Sequence, residues 1–281
     1  MARGTPTNGL SASKKCRTIR RTSTSSRRYS GARPPGTTGA AILMLTGRTM
    51  WLPAGEMHRC PTDGTSAFEG VFGRPFFDHF ARDADTAAVF HDGTATMSDA
   101  ENQPVAAAAE LPEKGTVVDV GGGHGGFLAE VLRHRPGLRG VLHDAPHVLA
   151  GHRLADDEDL TGRWSVAEGD FFTGVPGGDV YLLKRILHDW RDDQCVALLR
   201  NCRRALRPGG RVLVVDAVVP EDASPHRAKA LELMTMASLV GRERTEADFR
   251  ALFEAAGLRL ARSLPTSTVL DIVEGVPDGT A

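Results

Sequence analysis

The stretch Val117-Val118-Asp119-Val120-Gly121-Gly122-Gly123-His124-Gly125-Gly126 constrains this chain more than any other. A β-branched run passes through an acid into a glycine-rich turn, and an apolar-periodic segment (Phe127, Leu128, Val131, Leu132) follows. Strand, tight loop and helix N-terminus in that order put free backbone N–H donors where a nucleotide-type cofactor can meet them. Gly121, Gly123 and Gly126 satisfy the dinucleotide spacing G-x-G-x-x-G. Asp119 points to a different ligand. A carboxylate at the strand end repels a pyrophosphate and attracts a cofactor that carries an amino group and a sulfonium, as S-adenosylmethionine (SAM) does. A purely structural glycine turn is the alternative.

The pattern around this motif alternates. Strands are expected at 116–120, 139–143, 164–167, 179–185 and 211–218, with helices at 125–134, 146–156 and 192–206 between them. Such alternation implies a parallel sheet with helices on both faces. Helices at 229–240 and 246–256 follow, and strands at 258–264 and 267–273, separated by Pro265, close the chain as an antiparallel pair at the sheet edge. The expected fold is α/β: a Rossmann-like, doubly wound, mainly parallel sheet with an antiparallel C-terminal strand. The expected divisions are a basic, low-order leader (1–60), a helical connector and pocket segment (61–112) and a SAM-binding domain (113–281).

Charge separates the leader from the rest. Residues 1–60 carry 11 of the 34 Lys and Arg and one of the 35 acids, Glu56, so the remainder is strongly acidic. An acidic body argues against nucleic acid, whose phosphates need a basic face. The leader is rich in Arg, Ser, Thr, Gly and Pro and has too few apolar residues to offset its ordering entropy, so disorder is expected. An import peptide, or a start misassigned ahead of Met50 or Met57, reads the same composition differently. Cys16, Cys60, Cys195 and Cys202 form no C-x-x-C pair, which suggests neither zinc nor a disulfide framework and favours a reducing cytoplasm. No apolar run approaches the ~20 residues of a membrane span, and Ala40 to Leu45 is far too short.

Several side chains fall where strands end. Asp144 closes Leu142-His143-Asp144, where a carboxylate accepts the ribose hydroxyls of a nucleoside cofactor; a helix N-cap is the other reading. Asp170, in Glu168-Gly169-Asp170-Phe171-Phe172, could take an adenine amino group while Phe171 covers the ring. Lys184 ends the fourth strand as a ligand contact or a solvated cation. His188, in Ile186-Leu187-His188-Asp189-Trp190, lies just beyond it and has the unperturbed pKa of a general base near neutrality. A packed or capping histidine is the alternative, although Asp192 or Asp193 can cap the next helix. Asp216 ends the fifth strand, and Glu243 precedes a capping-box-like Thr245/Asp248 pair. Either acid could hold the His188 imidazole in one tautomer, and either reads equally well as a surface acid.

Six motifs occur in order: VVDVGGGHGG, LHDAPHV, EGDFF, LLKRILHDW, LRPGGRVLVVDAVVPE and GRERTEADFRALFEAAGL. Together they resemble the class I SAM-dependent O-methyltransferases of the large, metal-independent type, which includes plant caffeic-acid and flavonoid enzymes and bacterial polyketide and antibiotic enzymes. The resemblance begins near DGTSAFEGVFGRPFFDHF. It implies that Gly121 and its neighbours hold the amino-acid moiety of SAM, Asp144 the ribose, and Asp170 and Phe171 the adenine, with Lys184 as a further contact. It implies that His188 is the base, assisted by Asp216 and Glu243, and that Met234, with Met236, clamps an aromatic acceptor, although a Met on a buried helix is also ordinary packing. It implies too a homodimer built through an N-terminal, winged-helix-like helical domain. No counterpart of that domain is recognisable here; the basic leader stands in its place, as in a truncated or misassigned reading frame.

The expected activity is metal-free methyl transfer from SAM to a hydroxyl, expected to be phenolic, on an aromatic small molecule of secondary metabolism. Alternatives are N- or C-methylation or another reaction on the same fold, a non-catalytic SAM-binding remnant or partner subunit, and a nicotinamide dehydrogenase, against which Asp119 weighs.

Overall fold

The computed structural model describes Met1, residues 38–59 and residues 66–279. Five strands run parallel: β1 (Gly115–Val120), β2 (Leu138–Asp144), β3 (Trp164–Glu168), β4 (Gly178–Lys184) and β5 (Leu206–Asp216). Two more, β6 (Leu258–Pro265) and β7 (Asp271–Pro277), close the chain. β7 pairs antiparallel with β5 and β6 antiparallel with β7, giving the order β3-β2-β1-β4-β5-β7-β6. The expected mainly parallel sheet with an antiparallel C-terminal strand is what forms.

The strands carry apolar side chains on both faces because both are covered. Val117, Val180, Leu182, Leu213 and Val215 point to one side, and Val118, Tyr181, Leu183, Val212 and Val214 to the other. Ten α-helices accompany the sheet among the described residues. α1 (Thr38–Thr46), α2 (Arg48–Gly55), α3 (Ala67–Phe72), α4 (Phe76–Phe80) and α5 (Ala84–Ala108) precede β1. α6 (Gly126–His134), the single turn α7 (Pro146–Leu149) and α8 (Asp192–Ala205) fall among the parallel strands, with α9 (Arg227–Ser238) and α10 (Glu246–Ala256) after β5. α6 buries Phe127, Leu128, Val131 and Leu132 on the first face, each worth roughly 2 kcal/mol of transfer from water. α8 and α10 bury Leu198, Leu199, Phe249 and Phe253 on the second. The capping box read from Thr245 and Asp248 forms, with reciprocal bonds of 3.1 and 2.9 Å.

Before the sheet lies a helical layer. Phe68, Phe76 and Phe80 form its core, with Met50, Phe72, Phe90 and Leu239 packed against them. Here low order was expected through residue 60, yet residues 38–59 are helical. The apolar run Ala40 to Leu45, too short for a membrane, serves as a packed helix: Met44 is buried against Gly93 of α5. The rest of the leader reading, with Cys16 and Cys60, falls outside the described residues; Cys195 and Cys202 are free and buried. No helix among the described residues is long and apolar enough to cross a membrane.

Three boundaries differ clearly from expectation, the first being that of β5, which runs from Leu206 to Asp216 and not over 211–218. The helix expected at 146–156 stops after one turn, and the chain then docks on the glycine loop through Arg153 N–H to His124 O at 2.9 Å. The last strand starts at Asp271, not at residue 267, because Thr266 and Thr268 spend their hydroxyls on local backbone bonds.

Gly93 offers a test of the helical layer. Helix propensity favours Gly93→Ala by about 1 kcal/mol, but the new Cβ would lie 2.5 Å from Met44 Cβ. Overpacking of that kind costs roughly 1–3 kcal/mol and should win. Urea unfolding is expected to show the variant destabilised, and a stabilised variant would refute the packing of α1 on α5.

Candidate active site

A cavity of about 1000 Å³ opens at the carboxyl ends of the strands. It lies where the sheet order reverses, between β2 and β4 on either side of β1, the position at which open α/β sheets bind ligands. Asp119, Gly121, Gly122, Gly123, Asp144, Asp170, Phe171, Lys184, His188, Met234 and Glu243 all line it. Of the residues read from the sequence, Asp216 and Met236 are not in its lining.

At one end the glycine loop presses against Asp119. Gly121 N–H continues the β1–β2 pairing by donating to His143 O at 2.8 Å, and the chain then turns at φ 67. A Cβ on Gly122 would sit 2.4 Å from Asp119 Oδ2, so only glycine leaves that oxygen room. Oδ2 is buried and has no hydrogen-bond partner. Burial pushes the Asp119 carboxyl up to about 7, against the pull of Lys184. Asp144 shapes the same loop: one oxygen accepts Gly123 N–H at 3.0 Å and the other Ala145 N–H at 2.7 Å. Asp170 closes a local turn by accepting Phe172 N–H at 2.8 Å. Phe171 presents its ring to the cavity beside Phe172, at 4.8 Å between centroids. Lys184 is tied down: its Nζ donates to Ser98 Oγ at 2.6 Å and lies 3.3 Å from Glu101. Burial brings this ammonium down to about 8.

At the other end stands His188, in a single 3₁₀ turn (Leu187–Asp189) after β4. Its Nδ1 is 2.8 Å from Glu243 Oε1, which also accepts from Thr235 Oγ1 at 3.3 Å. Glu243 Nα–H in turn donates to Glu232 Oε2 at 2.5 Å. With Nδ1 donating to Glu243, Nε2 is the nitrogen that gives up its proton when the imidazole becomes neutral and then serves as the acceptor. Asp189, from the same turn, lies 3.2 Å from that Nε2. Burial acts to lower the His188 pKa, but the Asp189 charge, the Glu243 bond and the Asp216 charge prevail and push it up to about 9. That departs from the near-neutral value expected of an unperturbed histidine. Asp216 makes no bond to the imidazole; both its oxygens are buried without partners, and it acts on His188 through charge alone. The fully buried Arg244 braces the turn from behind, donating to Leu187 O at 2.7 Å and Trp190 O at 2.8 Å.

Aromatic side chains wall the space between. Phe76, Phe77, Phe80 and Phe90 come from α4 and α5, and Phe77 stacks on Trp190 at 5.7 Å. Met234 reaches this wall from α9. Met236 does not, because positions two apart on a helix face different ways. Asp189, Glu101, Ser98 and Thr235 were not singled out from the sequence. Asp189 had a visible signal, its place beside His188 in the HDW motif. The other three had none.

Asp119 gives a prediction whose sign is fixed by linkage. Its proton is bound more tightly in the folded chain, so the fold carries no penalty below the unfolded value of 3.8 and the full penalty above about 7. Asp119→Asn should raise the unfolding free energy of the ligand-free chain at pH 8, by at most about 4 kcal/mol, and scarcely at pH 4. Equal denaturation midpoints at pH 8 would contradict the burial of an ionisable Asp119.

Comparison with known proteins places this geometry. The family model for the O-methyltransferase domain matches residues 57–259. The phenazine O-methyltransferase PhzM of Lysobacter antibioticus is 40% identical over 80% of this chain and 66% of its own length. Among solved structures, the SAH-bound form of CalO1, a methyltransferase in calicheamicin biosynthesis, is 46% identical with a TM-score of 0.81, covering 88% of this chain and 74% of that one. NcsB1, an O-methyltransferase from neocarzinostatin biosynthesis in complex with S-adenosyl-L-homocysteine and 1,4-dihydroxy-2-naphthoic acid, is 30% identical with a TM-score of 0.72, covering 85% and 70%. The chain spans 58% and 59% of the lengths of two Streptomyces O-methyltransferases. On the family match, which takes in the glycine loop, the His188 turn and Glu243 alike, this chain belongs to the O-methyltransferase domain family.

Proposed function

We propose that this chain methylates a hydroxyl of a planar aromatic small molecule with SAM as methyl donor and His188 as general base. One observation carries the reading: a single cavity has a buried carboxylate with one partnerless oxygen in a glycine cradle at one end and a His–Glu pair at the other, with aromatic walls between. The residues fit SAM. The orphaned Asp119 oxygen suits its ammonium, Asp144 keeps acceptor capacity for ribose hydroxyls, and Phe171 offers a face for adenine. When bound, SAM supplies a methyl group activated by its sulfonium.

The chain's own residues do the rest. Glu243 fixes the imidazole so that Nε2 faces the cavity, and Nε2 accepts the proton of the acceptor hydroxyl. Asp189 now occupies that nitrogen, so the acceptor must displace its carboxylate. The imidazolium that forms is stabilised by Glu243 and by the charge of Asp216. Phe77, Trp190 and Met234 in the cavity lining favour a flat, apolar acceptor, so positioning contributes much of the acceleration. A ring-hydroxylated naphthoic acid of the kind held by NcsB1 is a fitting class of acceptor. Antibiotic or related secondary metabolism belongs to the same reading, supported by the biosynthetic roles of the relatives; a homodimer and a cytoplasmic setting are proposed with it.

His188→Ala should lower kcat at least about 100-fold while SAM binding, measured by calorimetry, is retained; near-parent turnover would remove His188 as the base. Because the base must be unprotonated, kcat/KM is expected to rise with pH and to level off only towards about 9. A profile already flat from pH 6 would contradict a base held charged by its acidic neighbours.

A further inference from the structure

β4 ends at Lys184, and the chain must turn within three residues to present His188. Arg185 makes that turn. It is the one non-glycine residue with positive φ among those described, at 57, a conformation that favours glycine. Its N–H still donates to Val215 O at 2.9 Å, so β5 guides the backbone to the point where it turns. Its guanidinium meets Glu101 of α5 in a two-pronged pair, Nε to Oε2 at 3.0 Å and Nη2 to Oε1 at 2.6 Å. Both side chains are largely buried, at 20% and 13% exposure. A bidentate, partly desolvated fork of this kind fixes geometry as well as charge. Glu101 also lies 3.3 Å from Lys184 Nζ, so one acid ties down two successive residues at the end of β4.

The same turn of α5 reaches the cofactor end. A Cβ on Gly126 would lie 2.9 Å from Asp99 Oδ1 and 3.0 Å from Asn102 Nδ2. Residues 98–102 therefore touch the glycine loop on one side and the approach to the base on the other.

We infer that Glu101 is a positioning residue for His188: through Arg185 it holds the left-handed turn and keeps a half-neutralised guanidinium beside the acids that surround the imidazole. The inference rests on His188 being the base. The groups facing His188 are Asp189 on its own turn, Glu243 from the loop before α10 with Glu232 of α9 behind it, and Asp216 from β5; Arg185, just past β4, reaches it through Asp216 and Glu243. The guanidinium acts on both Asp216 and Glu243. Glu101 cancels part of its charge, and so governs how strongly those acids act on His188.

The test is an NMR pH titration of protein labelled with ¹³C-histidine, with the His188 signal assigned by its loss in His188→Gln. Glu101→Gln leaves the guanidinium unneutralised and should lower the His188 midpoint. Arg185→Gln removes the cation and should raise it, each by about half a pH unit or more. Glu101→Asp, which keeps the charge, should restore the parent midpoint. Assayed above about pH 9, where His188 is unprotonated in parent and variant alike, Glu101→Gln should lower kcat about tenfold or more through loss of the turn's geometry, with the KM for SAM within about twofold. Midpoints that stay put in both variants, or that move in the same direction, overturn the inference. Should Glu101→Gln fail to fold, Arg185→Gln against Arg185→Lys decides by the same criterion: the first raises the midpoint and the second leaves it unchanged. The titration needs no turnover, and His188→Ala assayed alongside keeps the two ideas apart. Near-parent activity there sinks the base assignment, whatever Glu101 does.

Discussion

Asp119 Oδ2 lies buried at the carboxyl end of the central strand with no hydrogen-bond partner in the chain. Holding a carboxylate there is unfavourable: burial, with the Asp144 charge beside it, drives its proton affinity towards neutrality. Much of the local architecture serves that single group. Gly122 must lack a Cβ for the oxygen to keep its space, Asp144 ties the loop that passes over it, and β1 sits at the sheet position where order reverses and a crevice opens. A cationic ligand relieves the strain on Asp119, so the fold carries a penalty that binding removes.

The far end of the cavity is arranged on the same principle with the opposite result. His188 is surrounded by Asp189, Glu243 and Asp216, and their combined charge outweighs the burial that would strip its proton. A base set in an acidic nest works poorly until something positive enters or the acids are screened. Arg185, paired to Glu101, is the cation built into that nest. Helix α5 carries Glu101 and also packs beside the glycine loop, so one rigid element touches both ends.

The parts legible in the sequence are those whose signal is local. Val117–Gly126 encodes its own strand, turn and helix start, and Thr245/Asp248 encodes its own cap. Even there the glycines that matter most differ from the spacing rule: Gly122 is kept bare by Asp119, although the dinucleotide pattern leaves that position open. Glu101 and Ser98 were invisible because an acid and a serine on a long helix read as solvated surface, and their partners lie 84 and 86 residues away in sequence. Residues 38–59 looked structureless because a short apolar run has no period of its own until Gly93 offers it a surface. Met234 and Met236 sit two apart on one helix and so face different ways, and the Thr-rich run after Pro265 satisfies the pattern of a strand while its hydroxyls favour turns.

The central claim is that a methyl donor's cationic end and an acceptor's hydroxyl meet in one cavity, at Asp119 and at His188. The most direct measurement is a crystal structure of this chain with S-adenosylhomocysteine and a hydroxynaphthoic acid. The account predicts the amino group of the cofactor product on Asp119 Oδ2, and the acceptor hydroxyl on His188 Nε2 with Asp189 displaced. An acceptor seated with its hydroxyl away from His188, or a cofactor product bound without contact to Asp119, would contradict it.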